Sequence, residues 1–130
     1  MSASPRQRID TAASWARTVG YSRALRVGDR IEVAGTAAVG VDGAIAHPDD
    51  VYGQAKRCLE IIIDALQQLG GGAEHVVRTR VYLTDAAHWQ AVGRAHGEVF
   101  GATRPVTSFV VVAGLIDPAM LVEIEAEAVL

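Results

Sequence analysis

The C-terminal run MLVEIEAEAVL places three glutamates, Glu123, Glu125 and Glu127, at a spacing of two. In an extended strand that spacing puts all three carboxylates on one face. Two kinds of chemistry fit such a row. Left in water, it is a solvated face that also discourages strand-to-strand aggregation. Covered by another subunit, one of its carboxyls becomes partly desolvated, its pKa rises, and it can hold or relay a proton to a water. A second polar grouping opens the stretch TRPVTSFVVV. Arg104 precedes Pro105, and the hydroxyls of Thr107 and Ser108 lead into an apolar run that reads as a buried strand. This stretch is either a loop entering a strand or one wall of a chemical site.

Other reactive side chains form no familiar constellation. The histidines are His47, His75, His88 and His96. None pair as H-x-x-x-H and none sits at zinc-site spacing from a cysteine, so surface and cap positions are expected for them and no metal. His88 and His96 lie eight apart and share the general side of one helix. Cys58, the single cysteine, allows no intrachain disulfide and adjoins an apolar helix face, where a small buried thiol is expected. Arg78 and Arg80 alternate on a strand and could meet an anion, although a solvated or interface face explains them as well. No P-loop, dinucleotide fingerprint or G-x-S-x-G elbow is present. The glycines at 70–72 follow a helix instead of preceding one, which makes them a cap and not a phosphate cradle.

The elements that must position these residues belong to one domain, residues 1–130, with length enough for a real core. Half the residues are hydrophobic but only 5% are aromatic, so the core must be aliphatic. A net charge of −3 without any basic run argues against a nucleic-acid partner. The opening MSASPRQRID has no apolar h-region, and no stretch approaches the roughly 18 apolar residues of a membrane span. A soluble cytoplasmic protein with no membrane partner is expected.

YSRALRVGDRIEVAG predicts two short strands around the turn Gly28-Asp29. A Gly/Asp/Pro-rich loop follows and ends in HPDD, offering Asp49 or Asp50 as a helix N-cap. Val51, Ala55, Leu59, Ile62, Leu66 and Leu69 define one face of a helix from Val51 to Leu69. HVVRTRVYLTD alternates, predicting Val77, Thr79, Val81 and Leu83 inward and Arg78, Arg80 and Tyr82 outward. A second helix carries Trp89, Val92, Val99 and Phe100 on its buried side and is stopped by GATRP. SFVVVAG and LVEIEAEAVL are the last two strands, with Val122, Ile124, Ala126, Ala128 and Leu130 on one face of the latter. The pattern predicts an α+β sheet with both helices on one face. Its opposite, partly apolar face is expected to meet other subunits.

Several segments, in order, resemble the RidA/YjgF/UK114 family of reactive-intermediate deaminases. They are GYSRAL, GDRIEVAGT, YGQAKRCLEIIIDALQQLGG, HVVRTRVYLTD, the W..V...H...F helix, RPVTSFVVV and MLVEIEAEA. The resemblance implies a chorismate-mutase-like fold and a homotrimer whose sheets build a central barrel, with small-molecule clefts between subunits. It implies hydrolysis of enamines and imines such as 2-aminoacrylate to a 2-keto acid and ammonia, without metal or organic cofactor. Carried over by position, Tyr21 matches a cleft tyrosine, Glu123 the water-associated glutamate, and Gly35 a glycine at the end of a strand. The carboxylate-gripping arginine falls two residues after Pro105, where this chain has Thr107. Gly93 stands where asparagine is frequent, and Phe109 where cysteine is. Thr107, Ser108, Phe109 and the nearby Arg104 are the corresponding substrate-binding candidates. Because a neutral hydroxyl replaces a guanidinium, efficient 2-aminoacrylate hydrolysis is not expected. Two functions follow: hydrolysis of a related C–N bond with Glu123 and Tyr21 as catalytic residues, or non-catalytic binding of a small ligand in the same cleft. The RNA-cleaving activity named by some family labels fits poorly with the acidic charge balance and the absence of an evident histidine pair.

Overall fold

The computed structural model of the chain describes residues 5–130. Its strands are β1 (Arg6–Ile9), β2 (Ala24–Val27), β3 (Arg30–Thr36), β4 (Val76–Leu83), β5 (Val106–Val111) and β6 (Val122–Val129). The helices are α1 (Ala16–Val19), α2 (Val51–Gln68) and α3 (Trp89–Phe100). The six strands form one sheet in the order β1-β2-β3-β6-β4-β5. All neighbours are antiparallel except β4 and β5, which are parallel and joined through α3. This is the α+β architecture that the hydrophobic periodicities predict.

Helix α2 begins where Asp50 caps it, its carboxylate accepting from Gly53 N–H at 3.0 Å. It ends as the chain turns left-handed at Gly70, φ +90°, with Gly71 N–H reaching back to the Leu66 carbonyl at 2.8 Å. Its buried stripe, Ala55, Cys58, Leu59, Ile62, Ala65 and Leu66, lies over Ile31 and Val33 of β3 and Val122, Ile124, Ala126 and Ala128 of β6. Val92, Ala95 and Phe100 of α3 complete the layer beside Val81 and Leu83. Each large aliphatic side chain so buried contributes roughly 1.5–3 kcal/mol. The core is one sheet face closed by two helices.

Several expectations are corrected. Strand β1 and the short helix α1 are not predicted by the sequence, because β1 is polar and exposed apart from Ile9, and is held by pairing with β2 and by Ile9 against the core. The predicted inward Val77 is 43% exposed. A register shift between Val76 and Arg78 inserts an extra residue against β6, so the inward series is Val76, Thr79, Val81, Leu83. Trp89 is also exposed, at the first turn of α3, where the sheet does not reach. Strand β5 is not buried: every residue from Val106 to Val111 is exposed, because β5 lies at the sheet edge with β4 as its one neighbour. The uncovered sheet face is charged over β3, β4 and β6. Arg80 pairs with Glu125 at 3.0 Å there, and Arg30 with Glu32 at 3.1 Å and Glu127 at 3.6 Å. Its apolar part lies on β5, where Val106 and Val110 are exposed on the same side.

Candidate functional site

Strand β6 alternates between core and open face, so Val122 and Ile124 anchor the backbone on either side of Glu123. The three glutamates then part company. Glu125 accepts from Arg80 at 3.0 Å and from the Tyr82 hydroxyl at 2.8 Å, and Glu127 lies 3.6 Å from Arg30. Among the described residues, Glu123 alone of the three has no ion-pair partner within 4.0 Å. Burial pushes its carboxyl above the usual carboxylate range, Arg23 pulls it back in part, and Glu125 pushes it further up. A half-desolvated, unpaired carboxyl of raised pKa is suited to proton transfer.

The space beside Glu123 comes from the backbone of β3. Between Val33 and Thr36 the pairing with β6 shifts register, and Gly35 sits at the shift. A Cβ added to Gly35 would collide with Glu123 Oε1. Glycine is therefore required for the carboxyl to lie where it does. Arg23 donates to the Gly35 carbonyl, while its buried Nε has no hydrogen-bond partner among the described residues. Burial lowers the Arg23 pKa, and the surrounding Tyr21, Glu123 and Cys58 oppose that shift. Tyr21, two residues before Arg23, borders a hollow of about 380 Å³ shared with Asp10, Arg17 and Ser22. Below this group Cys58 is fully buried and its thiol is pushed up to about 12, first by burial and then by Glu123. It is a packing residue and no nucleophile.

The remaining candidates lie elsewhere. Thr107 pairs in register with Thr79 and points to the helix-covered side of the sheet. Its Oγ1 is 2.8 Å from Thr79 Oγ1, which in turn is 2.8 Å from His96 Nε2 on α3. Phe109 lies on the same side, its ring 6.5 Å from that of His96. Ser108 is in register with Arg80 and so faces the glutamate side. Arg104 is exposed, takes a left-handed backbone with φ 54° before Pro105, and makes no ion pair among the described residues. Its amide donates to the Phe100 carbonyl at 2.8 Å, closing the turn after α3.

The structure thus brings Gly35 and Glu123 together near Arg23, leaves Tyr21 in the neighbouring hollow, and places Thr107 and Phe109 on the other sheet face. Tyr82 stands directly opposite Glu123, and β5 lies one strand beyond it. Within one chain Glu123 and Thr107 do not share a pocket. Three neighbouring residues escaped the sequence reading. Arg23 follows Tyr21 at the period of a strand, and His96 follows Val92 by four on the buried side of α3; both spacings were visible. Thr79 was recognised as inward-facing, but its hydrogen-bond partners were not legible. Among the described residues, no three His, Cys, Asp or Glu side chains are placed to hold a metal ion. No helix is long and apolar enough to cross a membrane.

Comparison with known proteins assigns the class. The family model described as Endoribonuclease L-PSP matches residues 11–130. An uncharacterized Streptomyces coelicolor protein is 41% identical over 122 residues, covering 94% of this chain and 90% of that protein. A RutC family protein of Pyrococcus abyssi is 32% identical over 108 residues, covering 83% of this chain and 84% of its own. The crystal structure of Rv2704 from Mycobacterium tuberculosis, a member of the YjgF/YER057c/UK114 family, superposes with a TM-score of 0.87. It shares 43% identity and covers 97% of this chain and 100% of that one. The chain belongs to the RidA/YjgF family. That membership supports a role in acting on, or binding, a small molecule.

Proposed function

We propose that the protein is a hydrolase of small-metabolite C–N bonds, with imines and enamines as its substrate class and Glu123 as its proton-transfer residue. The observation that carries this reading is the Glu123 carboxyl. It is half-buried, raised in pKa and without an ion-pair partner among the described residues, and it packs so closely on Gly35 that any side chain there would collide with it. As carboxylate it takes a proton from water, and the resulting hydroxide adds to the imine carbon. As acid it returns that proton to nitrogen, giving the carbinolamine. It then takes the carbinolamine hydroxyl proton and passes it to the amino group, so that the C–N bond breaks and ammonia leaves as the carbonyl forms. Water and imine thus become carbonyl and ammonia, with no metal or organic cofactor. An enamine enters after tautomerising to its imine. Tyr21 is the second proposed catalytic residue, on the strength of the family resemblance.

Because Thr107 lies on the opposite face of the sheet from Glu123, one cleft containing both requires two copies of the chain. The exposed apolar edge β5 gives a second copy something to cover, and a homotrimer is the assembly we propose. The open sheet face favours no nucleic acid, since Arg30 and Arg80 are paired with glutamates there and Glu123, Glu125 and Glu127 line the same face. A ligand-binding role without turnover is the second reading. It is favoured by the commitment of the Thr107 hydroxyl to Thr79 and to the Pro105 carbonyl.

Ammonia release from enzymatically generated 2-iminopropanoate and longer 2-imino acids tests the first reading. Turnover above buffer that falls at least about a hundredfold in Glu123→Gln is expected. Rate on 2-iminopropanoate should be low and rise in Thr107→Arg, which restores a charge-assisted bond worth about 1.5–3 kcal/mol. Thermal stabilisation by these ligands with no ammonia released would establish the binding role instead.

A further inference from the structure

A polar chain crosses the helix-covered side of the sheet, where the surrounding core is aliphatic. Thr79 sits between Val76 and Val81 with no solvent exposure. Its hydroxyl touches His96 Nε2 on one side and Thr107 Oγ1 on the other, both at 2.8 Å. Thr107 Oγ1 is also 3.1 Å from the Pro105 carbonyl, and Thr107 is exposed. The chain therefore runs from a half-buried imidazole, through a fully buried hydroxyl, to a hydroxyl at the molecular surface. Burying a hydroxyl without partners is costly, so Thr79 is explained by the two groups that it joins.

Counting hydrogens restricts what the chain can do. Each hydroxyl has one hydrogen to donate, and a neutral imidazole carries one N–H. With Nε2 bare, Thr79 donates to His96, Thr107 donates to Thr79, and the Thr107 oxygen presents only lone pairs outward. With a hydrogen on Nε2, His96 donates to Thr79 and Thr79 donates to Thr107. The Thr107 hydrogen is then free for the Pro105 carbonyl or for an outside acceptor. The two arrangements differ by two hydroxyl rotations and the imidazole tautomer, with no movement of the backbone.

The surroundings leave both arrangements open. Around the imidazole stand the Phe100 ring at 4.7 Å, the Phe109 ring at 6.5 Å and Thr79, all uncharged. On the same helix, Glu98 bonds the Tyr52 hydroxyl of α2 at 2.6 Å and lies 4.0 Å from Lys56, while Arg94 stacks over the Tyr52 ring. Glu74 and His75, on the single turn before β4, pair with each other at 3.6 Å. Burial lowers the His96 pKa and so favours the neutral ring.

We propose that Thr107 is the ligand-contacting end of this relay, with Thr79 and His96 as its positioning residues, and that it selects a neutral polar group over a carboxylate. A carbonyl, imine or carboxamide can meet the hydroxyl in whichever of its two states suits it. A carboxylate would meet a neutral hydroxyl at Thr107, where the family resemblance places an arginine, and Arg104 is exposed. The inference rests on the proposed cleft and adds which end of the ligand Thr107 reads.

The test uses the full chain with 15N-labelled histidine, long-range 1H–15N spectra of His96, and two probes, 2-oxobutanamide and 2-oxobutanoate. The His96 Nε2 signal is expected to move with 2-oxobutanamide, and its Kd to be about tenfold below that of 2-oxobutanoate. Thr107→Val should change the His96 tautomer balance even without a probe, and Thr107→Ser should restore it. Thr79→Val should uncouple His96 from the probe, with Thr79→Ser again restoring the response. A His96 spectrum unchanged by Thr107→Val overturns the relay. Tighter binding of 2-oxobutanoate, or no response to either probe, overturns the ligand role. None of these readouts involves turnover, so a failed ammonia assay or a silent Glu123→Gln leaves the result standing on its own.

Discussion

Glu123, Glu125 and Glu127 look equivalent in sequence, and the difference between them lies in what stands across from each. Arginines sit near Glu125 and Glu127 and hold their charge on the open face. Glu123 instead faces a bare glycine and a guanidinium already bonded to a backbone carbonyl. Its raised pKa has a consequence for stability. A carboxyl whose folded pKa exceeds its unfolded value binds its proton more tightly in the native state. Stability is therefore highest when the group is protonated in both states, and falls as pH rises from the ordinary carboxylate range through the raised value. Glu123→Gln, which cannot ionise, should be at least as stable as the parent at pH 7, with the advantage shrinking towards pH ~4. Urea unfolding at the two pH values reads this directly. A variant less stable at pH 7 would mark Glu123 as a structural charge.

At the scale of elements, the sheet and its two long helices were legible because their periodicities repeat over many residues. The stripe of α2 and the alternation of β6 each commit whole faces, and no local contact can override them. Short or polar elements were not legible. Strand β1 carries no buried alternation, and one inserted residue at Val77 reversed its predicted direction without any compositional mark. Gln54 shows the same limit from the other side. It is fully buried on α2, and its amide joins the Ala119 carbonyl at 3.0 Å and the Leu121 amide at 2.9 Å. A third contact reaches the His47 carbonyl at 3.3 Å. Helix α2 is thereby tied to the loop that delivers β6, and hence to the placement of Glu123. Gln54→Leu removes these bonds and leaves the amide of half-buried Leu121 without its partner, so a loss of about 1–3 kcal/mol is expected in chemical denaturation.

At the scale of the whole molecule, the exposed edge matters most. Strand β5 shows Val106, Phe109, Val110 and Val111 to solvent together with an unpaired backbone edge, which in a lone monomer invites aggregation. In the proposed trimer a second copy would cover this edge and complete a cleft between Glu123 of one chain and Thr107 of another. If that assembly forms, Val110→Glu, on the glutamate-facing side of β5, should yield monomers with helical content retained. Light scattering coupled to size exclusion, with far-UV circular dichroism, gives the answer. A variant that stays trimeric places the interface elsewhere.

By itself the sequence determined the layer architecture, a helix cap at Asp49 or Asp50, a helix stop at glycines 70–72, and the row of glutamates on one face. These follow from periodicity and local backbone chemistry, which neighbouring residues specify. Only the tertiary structure decided which glutamate is unpaired, that Arg23 stands beside it, and that Thr107 turns away from it towards Thr79 and His96. Those facts depend on strand order, register shifts and the approach of residues far apart in the chain. A single residue of register exchanges one face of a strand for the other, and no spacing within one segment records it.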